Sequence, residues 1–480
     1  MATLSVSISH SRGYWGAAGS VLLAFSSALI AAQPATPQAL TGTAAGVITD
    51  ASGTPIPGAK VVALDFRSGI VNRVLTDERG NYTLDGLRPG AHKIRISAPS
   101  YVSRIFGTVQ IEANSRLRVD AKLQKAQPGE DGDTILGGRV HPHQDLKNVP
   151  HSAVIESVSI ATPPLMPFPS NGDLWFTTWA DDDNLYGTWG DGRGATPEFR
   201  NDLRTDCGVL KYSGAPPNLT PQVLLRDAPT QTNPPADNKP SSLLFLGKRL
   251  YGAFHAPLGD AWIGYLAYSD DYGKRWTREG FYFPDEAKPA NASPWTRDQG
   301  SPFRCMMMIN MGRAYSLNRD GFVYALAIGT ETNWKGDVYL ARVRKQDLLK
   351  YAAWQYYTGL ANGQPAWSQA QKDAVPVPNL FATDQGSAIY HPGVKRYLFL
   401  TLSHLFEAPA PWGPWTLAGD FPYDKPEWQR GYQPGIISKG LGSNSFWFTI
   451  SSQNRTPYLT YSFHIGQMVM HPASQAKNTR

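Results

Sequence analysis

The feature that most constrains this chain is a recurring pair of short alternating runs. DLWFTTWA is followed by NLYGTWGD, SSLLFLG by RLYGAFHA, FVYALAIG by DVYLARV, SAIYHPG by RYLFLTLS, and SFWFTISS by YLTYSFHIGQMVM. Alternation with period two marks strands, and the Gly, Asn and Asp between the runs mark turns. A strand pair cannot bury its own apolar face, so units repeated at a fixed spacing must stack on one another. Five clusters of about 65 residues each predict a five-bladed β-propeller, placed over residues 139–472 with a short tail at 473–480. KQDLLKYAAW, from Lys345 to Trp354, is the one segment with helical character and is read as a loop helix.

A second unit precedes these repeats. Between residues 42 and 125 the sequence offers about seven short strands, a density typical of a β-sandwich. GVITDASGTPIPGAKVVAL is strand, turn, strand, with Ala59, Val61 and Ala63 alternating. Turns at Asp77–Gly80 and Arg88–Gly90 repeat the logic, and Pro55, Pro57 and Pro89 fix φ while blocking helix. The fold expected is therefore all-β, a small sandwich followed by a propeller. Polar, Gly-rich residues 126–138 read as a linker.

The first 35 residues read as a signal peptide: Arg12, then the small apolar run GAAGSVLLAFSSALIAA, then a polar, Pro-rich exit. The apolar run is short for a membrane span, so the mature chain is expected to carry no transmembrane segment. It would be secreted, periplasmic or displayed at the cell surface. Export permits a disulfide, and Cys207 and Cys305 are the two cysteines available for one; the alternative is two buried thiols. Two cysteines without clustered histidines fall short of a zinc ligand set, so no metal is assigned.

Composition narrows the function. The 480 residues include 45 Gly, 38 Pro, 14 Trp and 22 Tyr, with 18% charged, which suits many strands with aromatics to spare for binding. The net charge of +6 is spread among acidic residues without a basic run, which argues against nucleic acid as a partner. No glycine-rich phosphate loop follows a strand, so no nucleotide or other cofactor is assigned.

The chemistry-bearing stretch is the first hairpin. Counted outward from a turn at Asp181–Asn184, residues pair when their numbers sum to about 364, which sets Asp173 opposite Asp191. Directly opposed side chains lie roughly 4.5–5.5 Å apart at Cβ, and retaining glycosidases hold their two carboxyls about 5–5.5 Å apart. Asp173 is assigned as nucleophile and Asp191 as acid/base, in either order. The other reading of each is a turn cap or an ion-paired loop carboxylate. Around them, Trp175, Trp189, Asp206, His391 and His404 are candidate sugar contacts, with Trp179, Trp262, Trp412 and His255 as further aromatic and imidazole groups. Asp202 and Asp206 flank Arg204, where ion pairing competes with a place at the mouth. Asp181–Asp183 read as a solvated turn, with a calcium site as the alternative.

Two resemblances follow. Gly46-Val47-Ile48-Thr49-Asp50, Gly53, Pro55-Ile56, Gly58-Ala59 and Thr76-Asp77 through Pro89-Gly90 closely resemble the carboxypeptidase regulatory-like domain. That resemblance implies a prealbumin-like sandwich without catalytic residues. Gly172-Asp173 and Gly190-Asp191, eighteen residues apart, resemble a family of five-bladed propellers long catalogued as a domain of unknown function, which includes endo-D-arabinanases. Tyr432-Gln433-Pro434-Gly435, Lys439, Phe446-Trp447 and the closing strand extend that likeness, and Pro411-Trp412-Gly413-Pro414-Trp415 is a phrase of furanosidase propellers. The chain departs from the family at Gly192, where Thr or Ser is usual, and at Leu174-Trp175-Phe176-Thr177. Ser269, Asp271, Gly273 and Trp276 fit the Asp-box of sialidase-like propellers, a structural turn. The function implied is hydrolysis of a furanoside-containing polysaccharide by a two-aspartate, retaining mechanism. The alternative is a non-catalytic propeller that binds glycans at the cell surface.

Overall fold

The computed structural model describes residues 41–65, 71–98, 100–101, 104–125, 148–198, 203, 205–226, 238–256, 263–282, 287–328, 336–421, 425–428, 431–452 and 459–473. The expected signal peptide and linker lie outside these residues, as do Asp202, Arg204, Trp262 and the tail beyond 473.

The N-terminal unit is a sandwich of two sheets. One is built on Gly42–Asp50, which pairs antiparallel with Asn81–Leu87 and parallel with Arg116–Arg118 and Ala121–Leu123. The other runs in the order Val71–Leu75, Lys60–Asp65, Gly90–Ser97, Arg104–Ile111. The alternation seen in the sequence becomes the core: Val61 and Ala63 from one sheet meet Ala44, Ile48, Tyr82 and Leu84 from the other. Gly46 is fixed by close approach, since a Cβ there would stand 2.1 Å from the Val119 carbonyl oxygen.

The C-terminal unit is a ring of antiparallel sheets, the propeller that the repeats predict. Among the described residues, five sheets of four or five strands follow one another along the chain, beside a two-stranded ladder of Gly336–Asp337 with Phe381–Ala382. Their innermost strands are Ser170–Asp173 continued by Thr177–Trp179, then Lys239–Leu246, Cys305–Met308, Ser387–His391 and Gly431–Ile437. Each inner strand packs against the next, and that of the fifth sheet packs against Thr177–Trp179 of the first. The fifth sheet is completed by Ile155–Ile160, which precedes the first sheet in sequence and pairs with the last strand, His464–Pro472, setting Ile160 opposite Met468.

The apolar faces pack sheet against sheet around the ring. Leu210 and Tyr212 of the first sheet meet Ile437 and Ile465 of the fifth, while Val209 meets Leu243 and Leu250 of the second. Met307 and Leu326 of the third sheet share a cluster with Leu244 of the second and Phe399 of the fourth. Hydrogen bonds cross the same seams: Thr178 Oγ1 donates to Asn310 Oδ1 at 2.6 Å, and Asn310 Nδ2 donates to the Leu243 carbonyl at 3.0 Å.

The helical reading of Lys345–Trp354 resolves into two three-residue 3-10 turns, Lys345–Asp347 and Tyr351–Ala353, between strands of the third sheet. No helix among the described residues is long and apolar enough to cross a membrane.

Of the two readings of the cysteines, the disulfide is corrected and the buried thiols stand: Cys207 and Cys305 are both buried and not joined to one another. Cys207 packs in the cluster between the first and second sheets and Cys305 in the one that spans the second to fourth. Burial pushes the Cys305 thiol up to about 12. At Ser269–Trp276 the chain makes a tight turn in which Ser269 Oγ accepts from Gly273 N at 2.7 Å. Asp271 Oδ1 accepts from Arg275 N at 2.9 Å, and Trp276 packs buried beneath.

Candidate active site

The beginnings of the inner strands meet at one end of the ring, and charged residues stand there. Lys239 opens the second inner strand, Arg304 precedes the third, Asp384 and Gln385 precede the fourth, and Tyr432 and Gln433 lie at the start of the fifth. Hydrogen bonds tie these ends together. Gln385 Nε2 donates to the Pro240 carbonyl at 2.9 Å, Gln433 N to Asp384 Oδ2 at 3.1 Å, and Tyr432 Oη to Asp173 Oδ2 at 2.8 Å.

The first inner strand does not run straight. Its far end keeps the expected register, with Thr177 opposite Gly187 and Trp179 opposite Leu185. Between the two ends the backbone breaks: Gly172 has φ +138° and Leu174 φ +54°, and the register shifts between Asn171 and Asp173. Asp173 therefore pairs with Gly190, one residue short of the predicted partner. The direct opposition of Asp173 and Asp191 is corrected on this ground.

Asp191 is nonetheless close enough for its charge to act on Asp173. Asp173 is buried, at 7% exposure, and burial first and the Asp191 charge second push its carboxyl up to about 7. Hydrogen bonds from Tyr432 and Tyr461 and the charge of Lys239 oppose that rise. Burial also raises both tyrosines, Tyr432 and Tyr461, well above the ordinary phenol value, so they remain donors. Asp191 has more access to solvent, with 30% of its side chain exposed, and it accepts from Lys239 Nζ at 2.7 Å. Asp206 stands on the far side of the same ammonium, 3.6 Å away. Tyr461 Oη also lies 3.2 Å from the Asp191 carbonyl oxygen, an alternative acceptor for its proton.

Local sequence explains this geometry. Asp191 has φ +49°, a conformation that costs a non-glycine residue about 1–3 kcal/mol and that clusters at functional sites. Glycines flank it because the first strand passes so near. A Cβ on Gly192 would stand 2.2 Å from the Asn171 carbonyl oxygen, which accounts for the departure from Thr or Ser at that position. A Cβ on Gly190 would stand 2.8 Å from Asp173 Oδ1 and 2.7 Å from Leu174 Cδ1. Gly190→Ala is accordingly expected to push Asp173 off Tyr432 and to cost about 1–3 kcal/mol of stability, the usual range for overpacking. Thermal denaturation and a 13C carboxyl titration of Asp173 check this.

Of the candidate sugar contacts, Asp206 alone joins Asp173 and Asp191. Trp175 and Trp189 are corrected to core: they are 1% and 0% exposed and pack on each other with ring centroids 6.4 Å apart. His391 is also corrected. It lies at the far end of its inner strand, fully buried, with Nε2 3.0 Å from the Ser445 carbonyl, and burial lowers its pKa. His404 begins the third strand of the fourth sheet, paired with Asp420 at 2.8 Å. Buried His255 lies opposite Lys239 and meets Ser241 Oγ at 2.8 Å.

Asp181–Asp183 lie at the other end of the first inner strand. They are engaged by Tyr272, Tyr186, Trp179 and Lys439. No metal-binding group of three His, Cys, Asp or Glu residues occurs among the described residues. Sequence reasoning missed Lys239, Asp384 and Tyr461, and gave Tyr432 no role. Lys239 is the first residue of its strand and Tyr432 the second of its own, and that opening position was the available signal.

Comparison with known proteins adds two family matches. Residues 43–124 match the carboxypeptidase regulatory-like domain. Residues 240–464 match the domain of unknown function DUF4185. The second match begins one residue after Lys239, so Asp173, Asp191 and Asp206 precede it, while Asp384, Tyr432 and Tyr461 fall within it. No curated protein matches the chain. Among solved structures, a protein of Bacteroides ovatus assigned provisionally to the hydrolases aligns at 14% identity and a TM-score of 0.38, over 69% of this chain and 97% of its own. The RS223 β-xylosidase aligns at 16% identity and 0.37, over 63% and 94%. A catechol 1,2-dioxygenase of Acinetobacter aligns at 16% identity and 0.18, over 21% and 57%.

Proposed function

We propose that the propeller is a glycoside hydrolase in which Asp173 is the general acid and Asp191 the working carboxylate. The observation that carries this reading is the contrast between the two groups. Asp173 is buried and holds its proton to about pH 7, whereas Asp191 is more open and lies against a lysine ammonium. Two neighbouring carboxyls in unequal environments divide into acid and base or nucleophile, which is the division glycosidic cleavage requires. Asp173 would protonate the leaving glycosidic oxygen, and Asp191 would attack the anomeric carbon or activate the water that does. Of the two orders that the sequence leaves open, this is the one with Asp173 as the acid.

The paired Gly-Asp motifs, eighteen residues apart, support a furanoside-containing polysaccharide as substrate and a place among the five-bladed arabinanase-like propellers. The leader supports action outside the cell, with the regulatory-like domain as a spacer or docking module.

One feature favours the second reading, a glycan-binding propeller: Asp191 is ion-paired, as a purely structural carboxylate would be. The two readings separate on a panel of arabinans, galactans and other plant and microbial glycans, scored by new reducing ends and by affinity electrophoresis. Hydrolysis is expected from the parent chain on at least one glycan and none from Asp191→Asn. Retardation of both proteins without any reducing ends would establish binding instead.

A further inference from the structure

The three acids at the site come from neighbouring strands of one sheet. Asp173 ends the first segment of its inner strand, Asp191 lies in Leu185–Ala195, and Asp206 in Thr205–Ala215. The cation among them comes from the next sheet. Lys239 is the first residue of Lys239–Leu246, its side chain is 15% exposed, and its ammonium is 2.7 Å from Asp191 and 3.6 Å from Asp206. Its backbone is held from two sides. It pairs with His255 across the second sheet, and the carbonyl of the following Pro240 accepts from Gln385 of the fourth.

Three carboxyls this near one another cannot all stay charged without a compensating cation, and a close pair lacking one shares its proton. A cation placed against one member of the pair breaks that symmetry. We infer that Lys239 is a positioning residue that holds the Asp191 side chain through their 2.7 Å contact, so that the proton of the pair resides on Asp173. This rests on the hydrolase reading above for its purpose, though the charge arrangement can be measured without turnover.

Groups other than Lys239 enter the same balance. Among the described residues they include Asp206 on the first sheet and the hydroxyls of Tyr432 and Tyr461 from the fifth, while His255 stands opposite Lys239 on the second. Arg304 and Asp384 stand at the heads of the third and fourth inner strands, and Arg193 donates to Asn171 beside the bulge.

The experiment is a 13C carboxyl NMR titration of the full chain labelled at aspartate, with Asp173 and Asp191 assigned from the signals lost in D173N and D191N. In the parent, the Asp173 carbon is expected to follow one step. In Lys239→Met that step should move up by about one pH unit, the low end of what a nearby opposite charge contributes. Lys239→Arg should restore the parent's midpoint. Lys239→Gln, which keeps polarity without charge, serves if K239M shows no cooperative thermal transition. An unshifted Asp173 step in the uncharged variants would overturn the inference while leaving the hydrolase reading intact. Glycan retardation by the parent chain without any new reducing ends would overturn the hydrolase reading whatever the titration shows.

Discussion

Asp173→Asn is expected to lower glycan hydrolysis by about 10²- to 10⁴-fold, the usual contribution of a positioned general acid, while raising the melting temperature at pH 8. The two effects have one origin. Burial and the neighbouring Asp191 charge disfavour the ionised form of Asp173, so its folded pKa, about 7, stands above the ordinary carboxyl value of 3.8. For a carboxyl raised in this way the folded state binds the extra proton. Stability therefore falls as pH climbs from about 4 through 7 and then levels off. The Asn variant carries no such charge. Its advantage over the parent should be largest above pH 7 and vanish near pH 4, a pattern that thermal melts across that range will show. In the parent, hydrolysis should decline on the alkaline side with a midpoint near 7, as the acid loses its proton. A variant that keeps full activity, or a parent whose stability is flat between pH 4 and 8, would remove Asp173 from the role assigned to it.

Trp189→Ala is expected to cost about 3–5 kcal/mol, the range for truncating a large buried aromatic. Trp189 is fully buried in a slot so tight that a Cβ on Gly208 would stand 2.0 Å from its ring, and Arg226 lies over it at 5.6 Å. Its Nε1 donates to the Gly192 carbonyl at 3.0 Å, just beyond Asp191. The substitution should therefore lower the denaturant midpoint sharply and also loosen the strand that aims Asp191. A tryptophan that stacks on sugar would behave in the opposite way, weakening glycan binding with little change in stability. Chemical denaturation alongside affinity electrophoresis distinguishes the two.

The architecture was legible because it is local and repeated. Alternation gives the strands, turn residues give their ends, and the spacing gives the number of sheets. The regulatory-like sandwich was legible for the same reason, with its glycines where turns demand them. The site was half legible. Paired Gly-Asp motifs pointed to Asp173 and Asp191, but counting residues outward from a turn assumes an unbroken ladder. The positive φ at Gly172 and Leu174 breaks it, moving the register by one. Lys239 was missed because its partnership crosses from one sheet to the next, with Asp206 and Asp191 standing 33 and 48 residues before it in sequence. Trp175 and Trp189 misled because an indole serves a core as readily as a sugar face, and the choice depends on glycines such as Gly208 that face it from another strand. His391 misled because it ends its strand at the turn, away from the end where the inner strands begin.

The pairing of Ile155–Ile160 with His464–Pro472 has a temporal consequence. A chain emerging from the ribosome makes the first strand of this ring about three hundred residues before the partner that completes its sheet, and such long-range pairing is slow to form. Until then the first sheet lacks its neighbour on one side, and Asp173 lacks both Tyr432 and Tyr461. The burial that keeps its proton in place is thus a property of the finished circle alone, so a partly made or partly opened chain has the acid residue without the acid.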